Sequence, residues 1–334
     1  MLVIAALLGH TLLIGGPAAR LLARARWTTR FPQAALRVWH ACAAGLLVSL
    51  TAALALTAHD LWEHIMVWVF HADMHRVHAA YGGAWQAAGI AEAALLALAL
   101  GTGVLSGLTV RRTLRLRQAR DRHRLTADAR SDGDPRAVPA AAGEPPVRVL
   151  RHHSPAVFCI PGSRRAARIV VTSAALDLLT DDELAATLEH ERAHLRLRHH
   201  RSILAADILT AAFHRTGLLR GYAGQVRQLA EMAADDQAAH RHGRRTVARA
   251  LLELSSAAPD ACSGAVGLSA MTGPDPAARI RRLIGAAPRR ASRPVAALML
   301  AGALTATALP LALAMAPAAL LADTAHPVSV STGH

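Results

Sequence analysis

Four long apolar stretches constrain the fold of this chain more than any other feature of its sequence. Each has about the 20 residues that an α-helix needs to cross the hydrocarbon core of a bilayer. Unpaired backbone groups are costly in lipid, so such stretches fold as helices. The sequence therefore predicts a mainly α, polytopic membrane protein with four transmembrane helices, at Leu2–Ala19, Val38–Ala58, Ala87–Val110 and Val295–Ala322. The lipid bilayer is thus one expected partner.

The first apolar stretch is predicted to be a retained span. A signal peptide carries positive charge before its apolar core, whereas here the arginines follow the core, beginning with Arg20. We therefore expect this stretch to remain in the membrane, with its N-terminus outside the cytoplasm.

Arginine supplies all of the positive side-chain charge, because the sequence contains no lysine and has a formal net charge of +14. Such a charge is also typical of nucleic-acid-binding proteins. Here the arginines cluster beside the apolar stretches, which favours a role in membrane topology, and no direct nucleic acid binding is expected. The loop before Val38 and the segment after Val110 are arginine-rich, whereas the loop between the second and third stretches has only Arg76. By the positive-inside rule, both termini are extracytoplasmic and residues 111–294 are cytoplasmic.

Composition divides the chain further. The arginines of 111–124 favour a juxtamembrane anchor, and Ala127–Pro146, rich in Pro, Gly, Ala and Asp, favours a flexible linker. Val147–Ile160 and Arg168–Thr172 have the β-branched character of short strands on either side of a Pro161-Gly162 turn. The predicted organisation is three transmembrane helices in 1–110, a basic segment and linker in 111–146, an α+β domain in 147–294, a fourth transmembrane helix in 295–322 and a short tail in 323–334.

The segment His190-Glu191-Arg192-Ala193-His194 is an HExxH motif. Residues four apart share one face of a helix, so His190 and His194 can bind one metal ion while Glu191 lies alongside to handle a proton. Thr180 and Glu183 form a capping-box pattern that predicts the start of this helix, and the apolar positions Leu184, Leu188 and Leu195 predict its buried stripe. The pattern predicts one Zn²⁺ per chain and a catalytic role for Glu191.

A catalytic zinc needs a third protein ligand, and Glu231 is the natural candidate. It follows His194 after room for one intervening helix, predicted at Ser202–Phe213. Asp235 lies one turn after Glu231 and could accept a hydrogen bond from a ligand histidine, whereas Asp236 is predicted to point elsewhere and to be solvated. An oxyanion donor beyond the metal is also expected, but none of the candidates is assigned: His199, His200, His214, His240 and His242.

The pattern resembles the BlaR/MecR-type family of integral-membrane zinc metallopeptidases, which are sensor-transducers and antirepressors. The similar segments are Phe158–Gly162, Ile169–Ser173, Asp181–Leu184, His190–His194, Glu231–Asp235 and Ala278–Leu283. The resemblance implies a zincin-like (gluzincin) domain in which His190, His194 and Glu231 bind zinc and Glu191 is catalytic. It also implies site-specific proteolysis of a protein partner, such as a transcriptional repressor, or of the enzyme itself.

The sensors of that family carry an extracytoplasmic penicillin-binding domain after the last span. Here only 12 residues, Asp323–His334, follow, so β-lactam sensing is not expected. An alternative is a quality-control or processing protease of the HtpX and CAAX prenyl protease group, which has a similar motif but places its spans differently. A second alternative is a catalytically silent zinc-binding signalling scaffold, which would have no need of Glu191.

Overall fold

The structure is a computed structural model that describes residues 2–58, 69, 71, 73, 75, 88–130, 144–163, 166–257, 269–270, 275–285 and 301–315. Most of the predicted linker, both ends of the predicted fourth span and the predicted tail lie outside the described residues.

The described residues between 2 and 130 are mainly helical. The helices are α1 (Leu2–Leu13), α2 (Ala19–Arg24), α3 (Arg26–Arg30), α4 (Pro32–Thr57) and α5 (Ala88–Arg130), and a π-helical turn, Ile14–Ala18, joins α1 to α2. Three of these helical stretches are long and apolar enough to cross a membrane: Leu2–Arg24, Pro32–Thr57 and Glu92–Ala129. These apolar helices support an association of the protein with a membrane.

The helices differ from the predicted spans mainly in length. Helix α4 begins at Pro32, a residue that suits the first turn of a helix. Helix α5 continues through the arginine run to Arg130 and so includes the first residues of the predicted linker. An apolar stretch marks only the part of a helix that can lie in the bilayer. The helix can continue beyond it through arginines, because arginine is a good helix former. In the predicted fourth span, the described helix is the shorter α12 (Ala301–Met315), whose Ala314 packs with Leu7 and Leu56.

A four-stranded sheet lies at the start of the second half. Its strands are β1 (Val147–Leu150), β2 (Val157–Ile160), β3 (Arg168–Thr172) and β4 (Ser269–Ala270), in the order β1-β3-β2-β4. Strand β1 is parallel to β3, whereas β2 is antiparallel to both β3 and β4. The predicted single strand Val147–Ile160 is thus two strands. The break contains Pro155, which has no N–H to donate to a ladder.

The helices described beside the sheet are α6 (Ser173–Leu178), α7 (Asp181–Arg196), α8 (His199–Ala212), α9 (Tyr222–His242), α10 (Arg244–Ala257) and α11 (Pro276–Ile284). The predicted capping box at the start of α7 is confirmed, since Glu183 N–H donates to Thr180 Oγ1 and Thr180 N–H donates to Glu183 Oε2. Leu188 is buried, and Leu184 and Leu195 pack against the same core. The HExxH motif therefore lies within a helix that is anchored to the sheet.

Candidate metal centre

Helices α7 and α9 bring three potential metal ligands together. On α7, the Nε2 atoms of His190 and His194 are 3.1 Å apart. On α9, Glu231 places one carboxylate oxygen 3.5 Å from each of these nitrogens. All three side chains are buried, and their ligand atoms lie within 4.8 Å of one another. The three residues that the sequence singled out as ligands thus converge on one point.

This donor set has the chemistry of a zinc site. Two imidazole nitrogens and one carboxylate are a known ligand combination of catalytic zinc, which leaves the fourth position to water or substrate. The pocket also favours positive charge. Although burial opposes protonation, Asp235 and Glu231 raise the pKa of His190 to about 9. The carboxylates that stabilise a positive charge on His190 would also stabilise a zinc ion at this point, so the residues present fit this metal.

Glu191 lies next to the converging ligands. It is fully buried. Burial raises the pKa of Glu191, although the neighbouring His194 and His190 oppose this rise. Cys159 of β2 is its neighbour from the sheet, and burial and the charge of Glu191 raise the pKa of that thiol. Burying a carboxylate is costly, and this cost is the physical cause of the raised pKa of Glu191.

Asp235 lies next to His190, one of the two histidines that the sequence offered as metal ligands. Its Oδ1 lies 3.1 Å from Nδ1 of His190, and both side chains are completely buried. A carboxylate at this position fixes the histidine tautomer that presents Nε2 to the metal. Burial alone would raise the pKa of Asp235, but Arg279 and His190 lower it below its usual range. Asp235 is therefore held as a carboxylate.

Arg279 is the residue of the centre that sequence reasoning did not single out. It comes from α11 and is fully buried. Its Nε and Nη2 donate to the two oxygens of Asp235 at 2.8 and 2.7 Å, and its Nη1 lies 3.1 Å from Oε2 of Glu231. Despite burial, His194 and Arg279 lower the pKa of Glu231 well below its ordinary value. The sequence carried one signal for it, since Arg279 lies in Ala278–Leu283, one of the segments on which the family resemblance rests.

The surroundings of Asp236 differ from the prediction that this residue is solvated. Asp236 is half-buried, and both of its oxygens accept from Arg282 Nη2 at 2.6 and 2.7 Å. Burial nevertheless raises its pKa. Arg282 also donates through Nε to the backbone carbonyl of Thr29 at 2.6 Å. Asp236 therefore belongs to a contact between α9, α11 and α3.

One of the five unassigned histidines lies at the centre. His199 is buried, and its Nδ1 is 3.1 Å from Nδ1 of His194. Burial and the charge of His194 lower the pKa of His199 to about 3. His200 is half-buried, and burial together with Arg120 lowers its pKa to about 4. The other three, His214, His240 and His242, are exposed or half-buried.

Comparison with known proteins agrees with this chemistry. The model of Peptidase family M48 matches residues 123–224, a range that includes the HExxH motif and ends before Glu231. No curated protein and no solved structure matches the chain. The family match supports a metallopeptidase, which is a coarser assignment than the resemblance to the BlaR/MecR type.

Proposed function

We propose that this protein is a membrane-anchored zinc endopeptidase that performs regulatory, site-specific proteolysis of a protein substrate. The observation that carries the proposal is the convergence of His190, His194 and Glu231 beside the buried carboxyl group of Glu191. The match to Peptidase family M48 supports peptide-bond hydrolysis. The proposed substrate is a repressor or the enzyme's own linker at 127–146.

Each residue of the centre has a separate role in the proposed reaction. His190, His194 and Glu231 would hold the zinc ion, which supplies a Lewis acid and makes water nucleophilic near neutral pH. Glu191 accepts the proton of the attacking water at its carboxylate and later delivers it to the leaving amine. Asp235 and Arg279 hold the ligands in place, Asp235 through Nδ1 of His190 and Arg279 through Oε2 of Glu231.

The test compares the wild type with Glu191→Gln, which keeps the shape of the side chain and removes its basicity. We expect both proteins to bind one zinc ion, and we expect the variant to lose cleavage by several orders of magnitude. Proteomic comparison of cells that express either protein would identify the substrate, and a fragment that ends within 127–146 would identify self-cleavage. If no cleavage in any protein depends on Glu191, the scaffold alternative replaces the enzyme.

We further propose that the catalytic domain faces the cytoplasm and that both termini lie outside it, because arginines flank the apolar helices asymmetrically. A reporter that is active only outside the cytoplasm would be fused after Gly143 and, separately, after Thr332. Activity is expected only at the second site. Activity at the first site would refute this topology and, with it, a cytoplasmic repressor as the substrate.

A further inference from the structure

We propose that His199 is a positioning residue, which fixes the ring of His194 so that Nε2 points at the metal. This inference rests on the proposed zinc site and adds a residue to it. The evidence is the contact between the two Nδ1 atoms at 3.1 Å, with both rings buried and nearly perpendicular, at 86°.

The direction of this hydrogen bond follows from counting protons. A neutral imidazole has one N–H group and one acceptor nitrogen. If His194 binds the metal through Nε2, its single proton is on Nδ1, and that Nδ1–H must be the donor. His199 must then accept through an unprotonated Nδ1 and carry its own proton on Nε2. The pair therefore selects one tautomer for each ring.

The backbone is built to produce this contact. Helix α7 ends at Arg196, and α8 begins at His199 after only Leu197 and Arg198. Arg198 has a φ of 53°, in the left-handed region that residues other than glycine rarely adopt. Such a conformation costs about 1–3 kcal/mol and persists where the surroundings require it. Here it turns the chain sharply enough to bring His199 back onto His194.

The two ligand histidines thus have different buried partners at Nδ1. His190 faces the carboxylate of Asp235, whereas His194 faces the imidazole of His199. Glu191, Glu231 and Asp235 already place three buried carboxyl groups around Arg279. A neutral acceptor at position 199 orients the second histidine without adding a fourth buried negative charge, which would be costly.

The experiment measures zinc affinity of the full chain in detergent by competition with a chelator. The variants are His199→Phe, which keeps an aromatic ring without an acceptor, and His199→Asn, which restores an acceptor near the position of Nδ1. The control is His200→Asn on the same turn of α8. We expect the Phe variant to lose roughly 10–100-fold in affinity, the Asn variant to recover most of this loss and the control to match the wild type.

Cobalt substitution separates positioning from direct ligation. If His199 acts through His194, the visible absorption spectrum of the Co²⁺ protein keeps its coordination signature in His199→Asn. A changed coordination number in that variant would show that His199 is itself a ligand and would overturn the proposal. Equal zinc affinity in the wild type and His199→Phe would also overturn it and leave the proposed function standing. Failure of the wild type to bind zinc would reject both.

Discussion

Removal of the buried Arg279 side chain should destabilise the metal-free protein more than most single substitutions. In Arg279→Met, the unbranched apolar chain fills much of the same space, but the three polar contacts to Asp235 and Glu231 are lost. The two carboxylates then remain buried without their cation. Breaking a buried ion pair by removing one partner costs about 3–5 kcal/mol, and we expect a loss of free energy of unfolding in this range.

The expected loss depends on charge and not only on shape, and a double-mutant cycle tests this point. In Arg279→Met/Asp235→Asn, one buried negative charge disappears together with the arginine, so the double variant should be more stable than the sum of the single losses predicts. The coupling should exceed about 0.5 kcal/mol, the limit within which independent sites add. Arg281→Met, an exposed change on the same helix, is the matched control, expected within about 0.5 kcal/mol of the wild type.

The measurement is denaturant unfolding of the full chain in detergent, after the metal has been removed. Zinc should reduce the loss in Arg279→Met, because the cation faces the carboxylate of Glu231 that the arginine no longer contacts. A loss below about 1 kcal/mol in the metal-free protein would contradict the charge argument, as would strictly additive effects in the cycle.

Three further predictions follow from the same contacts. Glu231→Ala should abolish stoichiometric zinc binding, whereas Asp235→Asn should weaken it by roughly 10–100-fold, as chelator competition would show; equal affinity in the wild type and Glu231→Ala would reject Glu231 as a ligand. Thr180→Ala should lower the free energy of unfolding by about 1 kcal/mol through the lost N-cap, with unchanged unfolding as the contrary result. Tyr222→Phe removes the hydrogen bond to His40 Nδ1 at 2.7 Å and should cost about 0.5–1.5 kcal/mol; a variant as stable as the wild type would show that this bond adds nothing.

Local patterns predicted the parts of the centre that depend on one helix. The spacing of His190 and His194 places both rings on one face, and the capping box at Thr180 sets where that helix begins, so both features follow from short-range geometry. Glu231 could be proposed as the third ligand because a catalytic zinc requires one and this acidic residue follows His194 after room for one helix. Its approach to the histidines depends on helix packing, which the sequence pattern did not specify.

The contributions of Arg279 and His199 could not be predicted in the same way. Arg279 is 44 residues beyond Asp235. The family resemblance of Ala278–Leu283 includes it, but this pattern does not indicate that this arginine, among the many in the chain, is buried beside Asp235. His199 is close in sequence to His194, but their contact depends on the left-handed conformation of Arg198, which is an unfavoured choice for that residue type. The pairing of Asp236 with Arg282 could not be predicted either, because the two residues are 46 positions apart in the sequence.

Helix α9 links the apolar helices to the candidate metal centre, because its two faces contact different parts of the protein. Tyr222, Val226, Leu229 and Ala233 follow a helical stripe and are buried in one cluster with residues of α4, among them Trp39. Glu231 and Asp235 are each two residues beyond a member of the stripe, about 200° around the helix, and so lie on its opposite face. The helix thus packs on α4 with one side and carries Glu231, the proposed third ligand, on the other. Because the packing on α4 holds α9 in place, the position of Glu231 depends on the membrane helices as well as on the sheet, and metal affinity has to be measured on the full chain.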